Sequence, residues 1–332
     1  MNGRIAVVGS NSFSGAAFVR YCLEQGLEVL GTSRSAEPAR CFLPYRWLDA
    51  EKQKRFRFVQ ADINHDLGPL MAALDEFKPT WVVNFLAQGM VAQSWIQPGH
   101  WYQTNVVGNV LFHDELRKRT WLEKYIHVGT PEVYGSTSGL IDETAPFNPS
   151  TPYAASRAAC DLHLRTFVQQ YKFPVAWTRA ANVYGPGQQL YRIIPRTILF
   201  IKLGKKLSLH GGGHSVRSFI HIDDVAKATL AIAKQAPIGE TYHLSTPRFV
   251  SIRELVEMTC RMMDADFNAV VDISEDRPGK DAAYLLDSKK ARTTLGWSDT
   301  VALEDGVRET IRWIEDQFEE IRHQPFDYIH KP

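Results

Sequence analysis

The sequence has 332 residues, which is enough for one large domain or two of modest size. Charged residues make up 23% and the formal net charge is +1, which argues against a nucleic acid or a membrane surface as partner. No apolar run approaches membrane-spanning length, and the first strand begins too early to leave room for a signal peptide, so we expect a soluble, cytoplasmic protein. The four scattered cysteines have no metal-ligand spacing and are expected to be free thiols, and we predict no metal site.

The first predicted elements are a short apolar strand at residues 4–8, a glycine-rich turn and an amphipathic helix. The turn contains Gly9, Ser12, Phe13 and Gly15. A turn of this kind between a strand and a helix brings a pyrophosphate close to the helix N-terminus, and its glycines permit that close approach. Ser12 stands where such loops usually have their middle glycine. We therefore predict that these four residues bind a dinucleotide.

The end of the second predicted strand, residues 28–32, indicates which dinucleotide is preferred. A site for NAD generally places Asp or Glu here, where it can hold the ribose 2′-hydroxyl. This sequence has Ser33 and Arg34 instead. A hydroxyl and a guanidinium suit a 2′-phosphate, so the pattern favours NADP over NAD, with NAD less expected. The alternative is that Arg34 is an ordinary solvated charge on a loop.

Further apolar runs alternate with helical segments along the first half of the chain. This alternation predicts an α/β fold, a Rossmann-type doubly wound parallel sheet of six or seven strands. We expect a cofactor-binding domain at residues 1–180, to which residues 217–240 return, and a smaller substrate-binding domain at residues 181–330. The further predicted strands of the first domain lie at residues 56–60, 81–85, 125–128 and 174–179.

Four side chains with useful chemistry lie close together in the sequence. Thr130 and Glu132 follow a predicted strand, at the edge of the sheet where ligands bind in open α/β folds. Tyr153 and Arg157 are four residues apart in a helix that begins after Thr151, so they share one helix face. A neighbouring cation lowers the pKa of a phenol, and a phenolate can take a proton from an alcohol. We predict that Thr130, Glu132, Tyr153 and Arg157 are catalytic.

These motifs resemble those of the extended short-chain dehydrogenase/reductase family. Within that family, the tyrosine with its cation and the preceding Thr-x-Glu-x-x-Tyr-Gly are most similar to the nucleotide-sugar 4,6-dehydratases, especially the dTDP-glucose type. The stretch around Arg277, Asp-Arg-Pro-Gly-Lys-Asp, also resembles their C-terminal region. The sequence departs from the family in having Arg157 in place of Lys. It also has Pro131 where the dTDP-glucose enzymes have Asp.

The resemblance implies binding roles for residues outside the catalytic group. Asp62 and Ile63 would lie at the adenine of the cofactor and Leu86 and Ala87 at its nicotinamide half, and Tyr153 and Arg157 would also contact the cofactor. Residues that match the family's segments around the nucleotide diphosphate of the substrate are Gln88, Asn182, Arg192, Leu209, Arg217 and Arg277. His210 and His214 flank a triple glycine and are interpreted as turn residues of a base-binding loop rather than as metal ligands.

The resemblance also implies a reaction on a nucleotide-diphosphate sugar. Tyr153 would take the proton of the C4 hydroxyl while the cofactor takes the hydride, and Thr130 would hold the C4 oxygen. Glu132 would remove the C5 proton, water would leave from C6, and the hydride would return to C6. Two alternatives stay open. One is a nucleotide-uronate decarboxylase or a 4-epimerase of the same family, and the other is a non-catalytic nucleotide-sugar-binding protein.

A homodimer is a further expectation from the resemblance. The long helical segments at residues 92–118 and 152–171 would pair across a two-fold axis into a four-helix bundle.

Overall fold

A computed structural model of the protein describes residues 3–137, 139–274 and 285–331. In these ranges no helix combines the length and apolar character that crossing a membrane requires. The strands, in chain order, are β1 (Arg4–Val8), β2 (Glu28–Ser33), β3 (Phe56–Gln60), β4 (Trp81–Asn84), β5 (Lys124–Val128), β6 (Leu140–Ile141), β7 (Val175–Ala180), β8 (Asn182–Tyr184), β9 (Leu207–His210), β10 (Val216–His221), β11 (Thr241–Leu244), β12 (Phe249–Ser251), β13 (Val271–Ser274) and β14 (Leu285–Leu286).

The helices, in the same order, are α1 (Phe13–Glu24), α2 (Ala50–Gln53), α3 (Leu67–Phe77), α4 (Val91–Ser94), α5 (Pro98–Tyr102), α6 (Asn109–Leu116), α7 (Pro152–Tyr171), α8 (Ile193–Lys202), α9 (Ile222–Gln235), α10 (Ile252–Met262), α11 (Phe267–Val270), α12 (Lys289–Leu295), α13 (Leu303–Asp316) and α14 (Phe318–Ile321). A π-helical segment, Gln103–Gly108, joins α5 to α6. Single 3₁₀ turns form at Arg40–Phe42, Pro44–Arg46, Pro131–Tyr134 and Gly211–Gly213.

A seven-stranded sheet forms the centre of the fold, and its strand order is β11-β7-β5-β4-β1-β2-β3. Every pair of neighbouring strands is parallel. Helices cover both faces of such a sheet, which explains why its inner strands read as continuous apolar runs rather than as alternating ones. The predicted α/β class and the doubly wound parallel sheet are confirmed.

Two apolar layers enclose the sheet. On one face α1 and α9 pack together, with Phe18 and Val225 in their shared core. On the other face α3 and α7 contribute Leu70 and Leu164. The order of strands places the carboxyl ends of β1 and β4 side by side, which is where an open α/β sheet reverses direction and binds its ligand.

Aspartate is among the preferred helix caps, so the sequence favours Asp223 as the N-terminal cap of α9. The helix instead begins two residues earlier than that cap implies, at Ile222, and the ring of His221 accepts the backbone N–H of Asp223. Asp223 lies in the first turn, and its carboxylate pairs with Arg20 of α1. The acidic group therefore ties α9 to α1 instead of capping its own helix.

The second part of the chain builds a smaller layer beside the sheet. Strands β12, β10 and β8 form a three-stranded sheet, and α8, α10 and α13 pack around an apolar core that includes Ile198, Leu255 and Val307. Helix α10 starts with a capping box of Ser251 and Glu254, in which both reciprocal hydrogen bonds form. Because β8 directly follows β7, this layer begins at the carboxyl edge of the central sheet.

Candidate active site

The glycine-rich turn closes tightly between β1 and α1. Gly9 has φ +83°, and a Cβ added there would lie 2.9 Å from the backbone nitrogen of Leu86. A Cβ at Gly15 would overlap the carbonyl oxygen of Gly9. Ser12 has ordinary extended angles and caps α1: its hydroxyl accepts from the Gly15 N–H (3.1 Å) and donates to the Gly9 carbonyl (2.7 Å). The serine therefore stabilises the turn where a third glycine would leave it looser.

The end of β2 presents hydroxyl and cationic groups to a cleft. Ser33 is buried, and its hydroxyl accepts the backbone N–H of Asn11 at 3.0 Å. The Arg34 guanidinium donates to the backbone carbonyl of Lys331 at 3.1 Å, so the far C-terminal part of the chain meets this edge. The carboxylate of Glu37 also lines the cleft, but it is engaged by Arg46 at 2.7 Å. The charge at the end of β2 is therefore positive.

The residues predicted to bind the adenine end and the nicotinamide end of the cofactor lie in the same cleft. Asp62 and Ile63, which follow β3, line it together with Leu86 and Ala87, which follow β4. The Asp62 carboxylate accepts the backbone N–H of Asn64 at 2.8 Å, which fixes the turn after β3. The structure therefore brings these four predicted cofactor residues together with the glycine-rich turn.

Thr130, Glu132 and Tyr153 meet at the carboxyl end of β5. Thr130 caps the 3₁₀ turn that begins at Pro131, and its hydroxyl accepts the Glu132 N–H at 3.3 Å. The Tyr153 phenol lies in the first turn of α7, where it forms a side-chain hydrogen bond with Thr130. The negative charge of Glu132 is close enough to raise the pKa of the phenol. Three groups that can handle protons are thus assembled in one place.

The electrostatics of Tyr153 differ from the expectation that its cation keeps it ionised. Burial raises the pKa of the phenol and the carboxylate of Glu132 raises it further, while Arg157, the Thr130 hydrogen bond and Arg192 lower it. The net pKa lies above the ordinary value of 10.0, so the protein alone keeps this phenol protonated. Arg157 acts in the predicted direction, but burial outweighs it.

Arg157 lies one helical turn after Tyr153 in α7 and is 2% exposed. Its guanidinium donates to the carbonyl of Val128, to Nε2 of His127 at 3.2 Å and to the carbonyl of Leu86 at 3.4 Å. Val128 and His127 belong to the end of β5, and Leu86 lies in the segment that follows β4. A planar group with donors pointing in several directions can satisfy all three, which a single ammonium does less well.

A buried polar chain continues behind Arg157, and sequence reasoning missed it. Tyr125 and His127 alternate along β5, and the Tyr125 hydroxyl lies 2.8 Å from Nε2 of His113 and 3.3 Å from Nδ1 of His127. Burial lowers the pKa of His127 well below its usual value, and Arg157 lowers it further. His127 is therefore neutral, and its Nε2 is free to accept from Arg157. Polar residues inside an otherwise apolar strand were the signal that could have identified this chain.

The cleft has a volume of about 730 Å³. Gln88 lies in its wall and donates from Nε2 to the carbonyl of Lys331 at 2.7 Å. Residues 324, 325 and 327–329 line the cleft as well, although nothing in their sequence marked them as site residues. Contacts such as that between Gln88 and Lys331 join positions more than two hundred residues apart in the sequence, and such contacts leave no local sequence pattern that could predict them.

The residues predicted to bind the substrate do not all lie at one site. Arg192 directly precedes α8, close enough to Tyr153 for its charge to lower the pKa of the phenol. Asn182 donates to the carbonyl of Ser218 at 3.2 Å, and Arg217 donates to the carbonyl of Val216 at 2.8 Å. Leu209 is 3% exposed, within an apolar cluster. Of the predicted substrate residues only Gln88 lines the 730 Å³ cleft: Asn182, Arg192, Leu209 and Arg217 do not, and Arg277 lies outside the described residues.

Comparison with known proteins gives consistent matches over nearly the whole chain. The family described as GDP-mannose 4,6-dehydratase matches residues 7–310. A probable dTDP-glucose 4,6-dehydratase of Sinorhizobium fredii is 30% identical, over 93% of this chain and 92% of the relative, and the dTDP-D-glucose 4,6-dehydratase of Bos taurus is 32% identical over 80% and 76%. A crystal structure of the dTDP-glucose 4,6-dehydratase of Streptomyces venezuelae, with NAD and dTDP bound, superposes with a TM-score of 0.88 at 31% identity and covers 96% of this chain and 98% of that one.

Proposed function

The chain belongs to the nucleotide-sugar 4,6-dehydratases of the short-chain dehydrogenase/reductase family, and from this premise we propose how its own residues carry out the reaction. The protein is an enzyme, a lyase that works with a nicotinamide dinucleotide and removes water from a nucleotide-linked hexose. The product is the 4-keto-6-deoxy sugar.

The residues present fit the dinucleotide. Gly9 and Gly15 leave backbone atoms open where any Cβ would collide, and the cleft beside them is within the range of ligand pockets, at about 730 Å³. Ser12, Phe13, Ser33 and Arg34 would hold its phosphate and ribose end, with Asp62 and Ile63 at the adenine and Leu86 and Ala87 at the nicotinamide. When bound, the oxidised dinucleotide supplies a positively charged hydride acceptor that gives the hydride back later in the cycle.

Tyr153 accepts the proton of the C4 hydroxyl in the first step. Its hydrogen bond to Thr130 places a second hydroxyl at the same oxygen, so Thr130 positions the C4 oxygen for proton transfer. The pKa of Tyr153 is raised in the protein alone, mainly by burial, so the base form needs all the positive charge available. Arg157 supplies part of that charge and, held by three acceptors, cannot swing away.

Glu132 carries the second step. A C4 ketone makes the C5 proton acidic, and the carboxylate of Glu132 removes it while hydroxide leaves C6. Pro131 occupies the neighbouring position without an acidic side chain, so Glu132 also gives the proton that turns the hydroxide into water. C6 would then receive the hydride and C5 a proton from Glu132, and Tyr153 would release to solvent the proton that it took from the C4 hydroxyl. Because Glu132 is half-buried, solvent can recharge it between these transfers.

The juxtaposition of Glu132 with the Tyr153 phenol is the observation that carries this mechanism. The test is mass spectrometry of dTDP-, UDP-, GDP- and CDP-hexoses and a UDP-uronic acid incubated with the enzyme. We expect loss of one water from one donor, abolished by Tyr153→Phe. With Glu132→Gln, oxidised sugar and reduced dinucleotide should accumulate without loss of water. Loss of carbon dioxide, or an isomer of unchanged mass, would contradict the mechanism.

The cofactor is proposed to be NADP. Support comes from Ser33 and Arg34 at the end of β2, where a hydroxyl and a guanidinium suit a 2′-phosphate, and from the engagement of the nearby Glu37 by Arg46. The relative from Streptomyces venezuelae was solved with NAD, so the two dinucleotides must be compared directly. Chromatography of the nucleotide released from purified protein identifies the one retained. Release of NAD alone would overturn the preference.

The diphosphate of the substrate is proposed to meet Arg192, Arg217 and Arg277, with Gln88, Asn182 and Leu209 around the sugar and base. Arg192 has the clearest support because its charge already acts on Tyr153. Arg192→Gln should therefore raise the KM for the nucleotide sugar several-fold, because a bidentate phosphate contact is lost. An unchanged KM would remove Arg192 from the site.

The enzyme is further proposed to be a homodimer that pairs α6 and α7 of two copies. Leu111 of α6 is 51% exposed and Leu162 of α7 is 52% exposed, apolar surface that a bundle would cover. Sedimentation showing only monomer at micromolar concentration would contradict this.

The division of the chain into two domains at residue 180 is also a proposal, supported by the separate apolar cores of the two layers. A reducing, cytoplasmic location is supported by four free, buried cysteines.

A further inference from the structure

The C-terminal residues 324–331 cross the mouth of the cleft. Their first half is attached to the smaller layer: Arg196 of α8 donates to the Phe326 carbonyl at 3.0 Å and pairs with the Asp327 carboxylate at 2.9 Å. The Tyr328 ring then meets the Tyr191 ring edge-on, with 5.6 Å between centroids. These contacts hold the segment at the substrate side.

The second half of the segment is attached to the cofactor-binding side. The His330 ring stacks on Trp101, with centroids 5.1 Å apart and planes 8° from parallel, and its Nε2 lies 2.8 Å from Nδ1 of His100. The Lys331 carbonyl accepts from Gln88 at 2.7 Å and from Arg34 at 3.1 Å. The segment thus joins both layers of the fold across the cleft.

The segment forms a wall of the cleft and does not fill it. The volume of about 730 Å³ remains with the segment in place, and residues 327–329 and Lys331 line it opposite Gly9 and Ser12. The Lys331 ammonium also points to the end of β2, with Nζ 3.4 Å from the Ser35 hydroxyl. Two cationic side chains, Arg34 and Lys331, therefore lie at the adenosine end of the cleft.

We propose that residues 328–331 are a strap that closes over the bound dinucleotide and retains it through the catalytic cycle, with Lys331 as a further contact at its adenosine end. The proposal rests on the proposed function only in that the enzyme holds a nicotinamide dinucleotide. In this reaction the hydride taken from C4 must be returned to C6, so a dinucleotide that leaves between the two steps ends the cycle with a stranded intermediate. A strap anchored on both layers prevents that loss.

The first test removes the strap by a stop codon at Tyr328. Phe326 and Asp327 stay, because Phe326 packs against the apolar core of the smaller layer. Dissociation of the dinucleotide is followed after dilution into excess competing dinucleotide, with no nucleotide sugar present. We expect release at least about tenfold faster, which corresponds to about 1.4 kcal/mol of lost binding. Slower release, or a higher kcat, would show that the segment blocks the site, and unchanged release would show that it is inert; each overturns the proposal.

A second test uses point variants that leave the chain at full length. His330→Ala removes the ring that stacks on Trp101, and His323→Ala is the matched control because His323 is exposed. We expect faster release from the first variant only, at an unchanged unfolding temperature of the dinucleotide-free protein. Lys331→Gln should speed the release of NADP more than that of NAD.

These readouts separate the strap from the proposed reaction. A protein that releases the dinucleotide faster without its strap, yet removes water from no sugar, would uphold the strap and refute the reaction. If the protein removes water from a nucleotide sugar but all variants release the dinucleotide at the same rate, the reaction would be upheld and the strap refuted.

Discussion

Arg157→Lys is the most informative single change, because lysine is the residue that the resembling enzymes use. The guanidinium now serves the Val128 carbonyl, the Leu86 carbonyl and Nε2 of His127, in a site that is 2% exposed. A lysine ammonium is one point on a flexible stem and cannot reach all three acceptors at once. His127 has no exposed surface and cannot turn to water for a replacement donor.

The expected loss in the free energy of unfolding follows from the number of buried acceptors that lose their donor. A buried acceptor left without its donor costs about 1–3 kcal/mol. For a chain of 332 residues, an unfolding entropy of about 2.1 cal/mol/K per residue sums to about 0.7 kcal/mol/K. Arg157→Lys should therefore lower the Tm by about 1–4 °C. The matched control is Arg57→Lys, since the Arg57 side chain is 50% exposed and pairs with Glu76 at the surface, where such a change costs less than about 0.5 kcal/mol.

The charge is retained in Arg157→Lys and lost in Arg157→Met, so the two variants separate stability from catalysis. Arg157 lowers the pKa of Tyr153, and the phenol must be deprotonated to act as base. Without the cation that pKa rises, and the ascending limb of kcat against pH moves to higher pH in Arg157→Met. It should stay in place in Arg157→Lys. A lysine variant as stable as the parent, or a methionine variant with an unmoved limb, would refute the reasoning.

Three further predictions test the core, the cofactor turn and the strap. Asp161→Asn should cost about 3–5 kcal/mol in denaturant unfolding, because it leaves the buried Arg179 without its partner at 2.6 Å, whereas Asp305→Asn at an exposed pair should cost less than about 1 kcal/mol. Gly15→Ala should abolish dinucleotide binding in a fluorescence titration while the protein stays folded, because the new methyl group overlaps the turn. Burial lowers the pKa of the docked His330, and the neighbouring His100 and Arg34 lower it further, so docking of the strap favours the neutral ring and weakens as the pH falls below 6.5. Dinucleotide release should accelerate over that range, and His330→Gln should flatten the profile.

The sequence predicted those parts of the fold that depend on neighbours along the chain. The glycine-rich turn, the capped start of α7 at Thr151, and the pairing of Tyr153 with Arg157 all follow from spacings of a few residues. The central sheet was predictable because strands that alternate with helices usually form a parallel sheet with right-handed connections. The cap of α9 is not predictable in this way, because histidine is not among the usual capping residues and His221 is at once the last residue of β10 and the cap of α9.

The parts that the sequence did not predict depend on tertiary contacts. The strap touches Gln88 and Arg34 through a backbone carbonyl of Lys331, and any residue type supplies a carbonyl. The acceptors of Arg157 are also mostly backbone atoms, from β5 and from the segment that follows β4. The net effect on the pKa of Tyr153 needed the extent of burial, which cannot be read from the presence of a nearby cation.

The three departures from the resembling enzymes have a common structural character. Ser12 caps α1 through the glycine-rich turn, Pro131 begins the 3₁₀ turn that Thr130 caps, and Arg157 binds the ends of two strands. Each makes the backbone around the site more rigid. Pro131 and Arg157 do so at a chemical cost, since the first supplies no acid and the second cannot release a proton. Proton transfers are therefore concentrated on Glu132 and Tyr153. A site with so few proton donors depends on holding its intermediate and its dinucleotide until the hydride returns, which is the condition that a strap across the cleft satisfies.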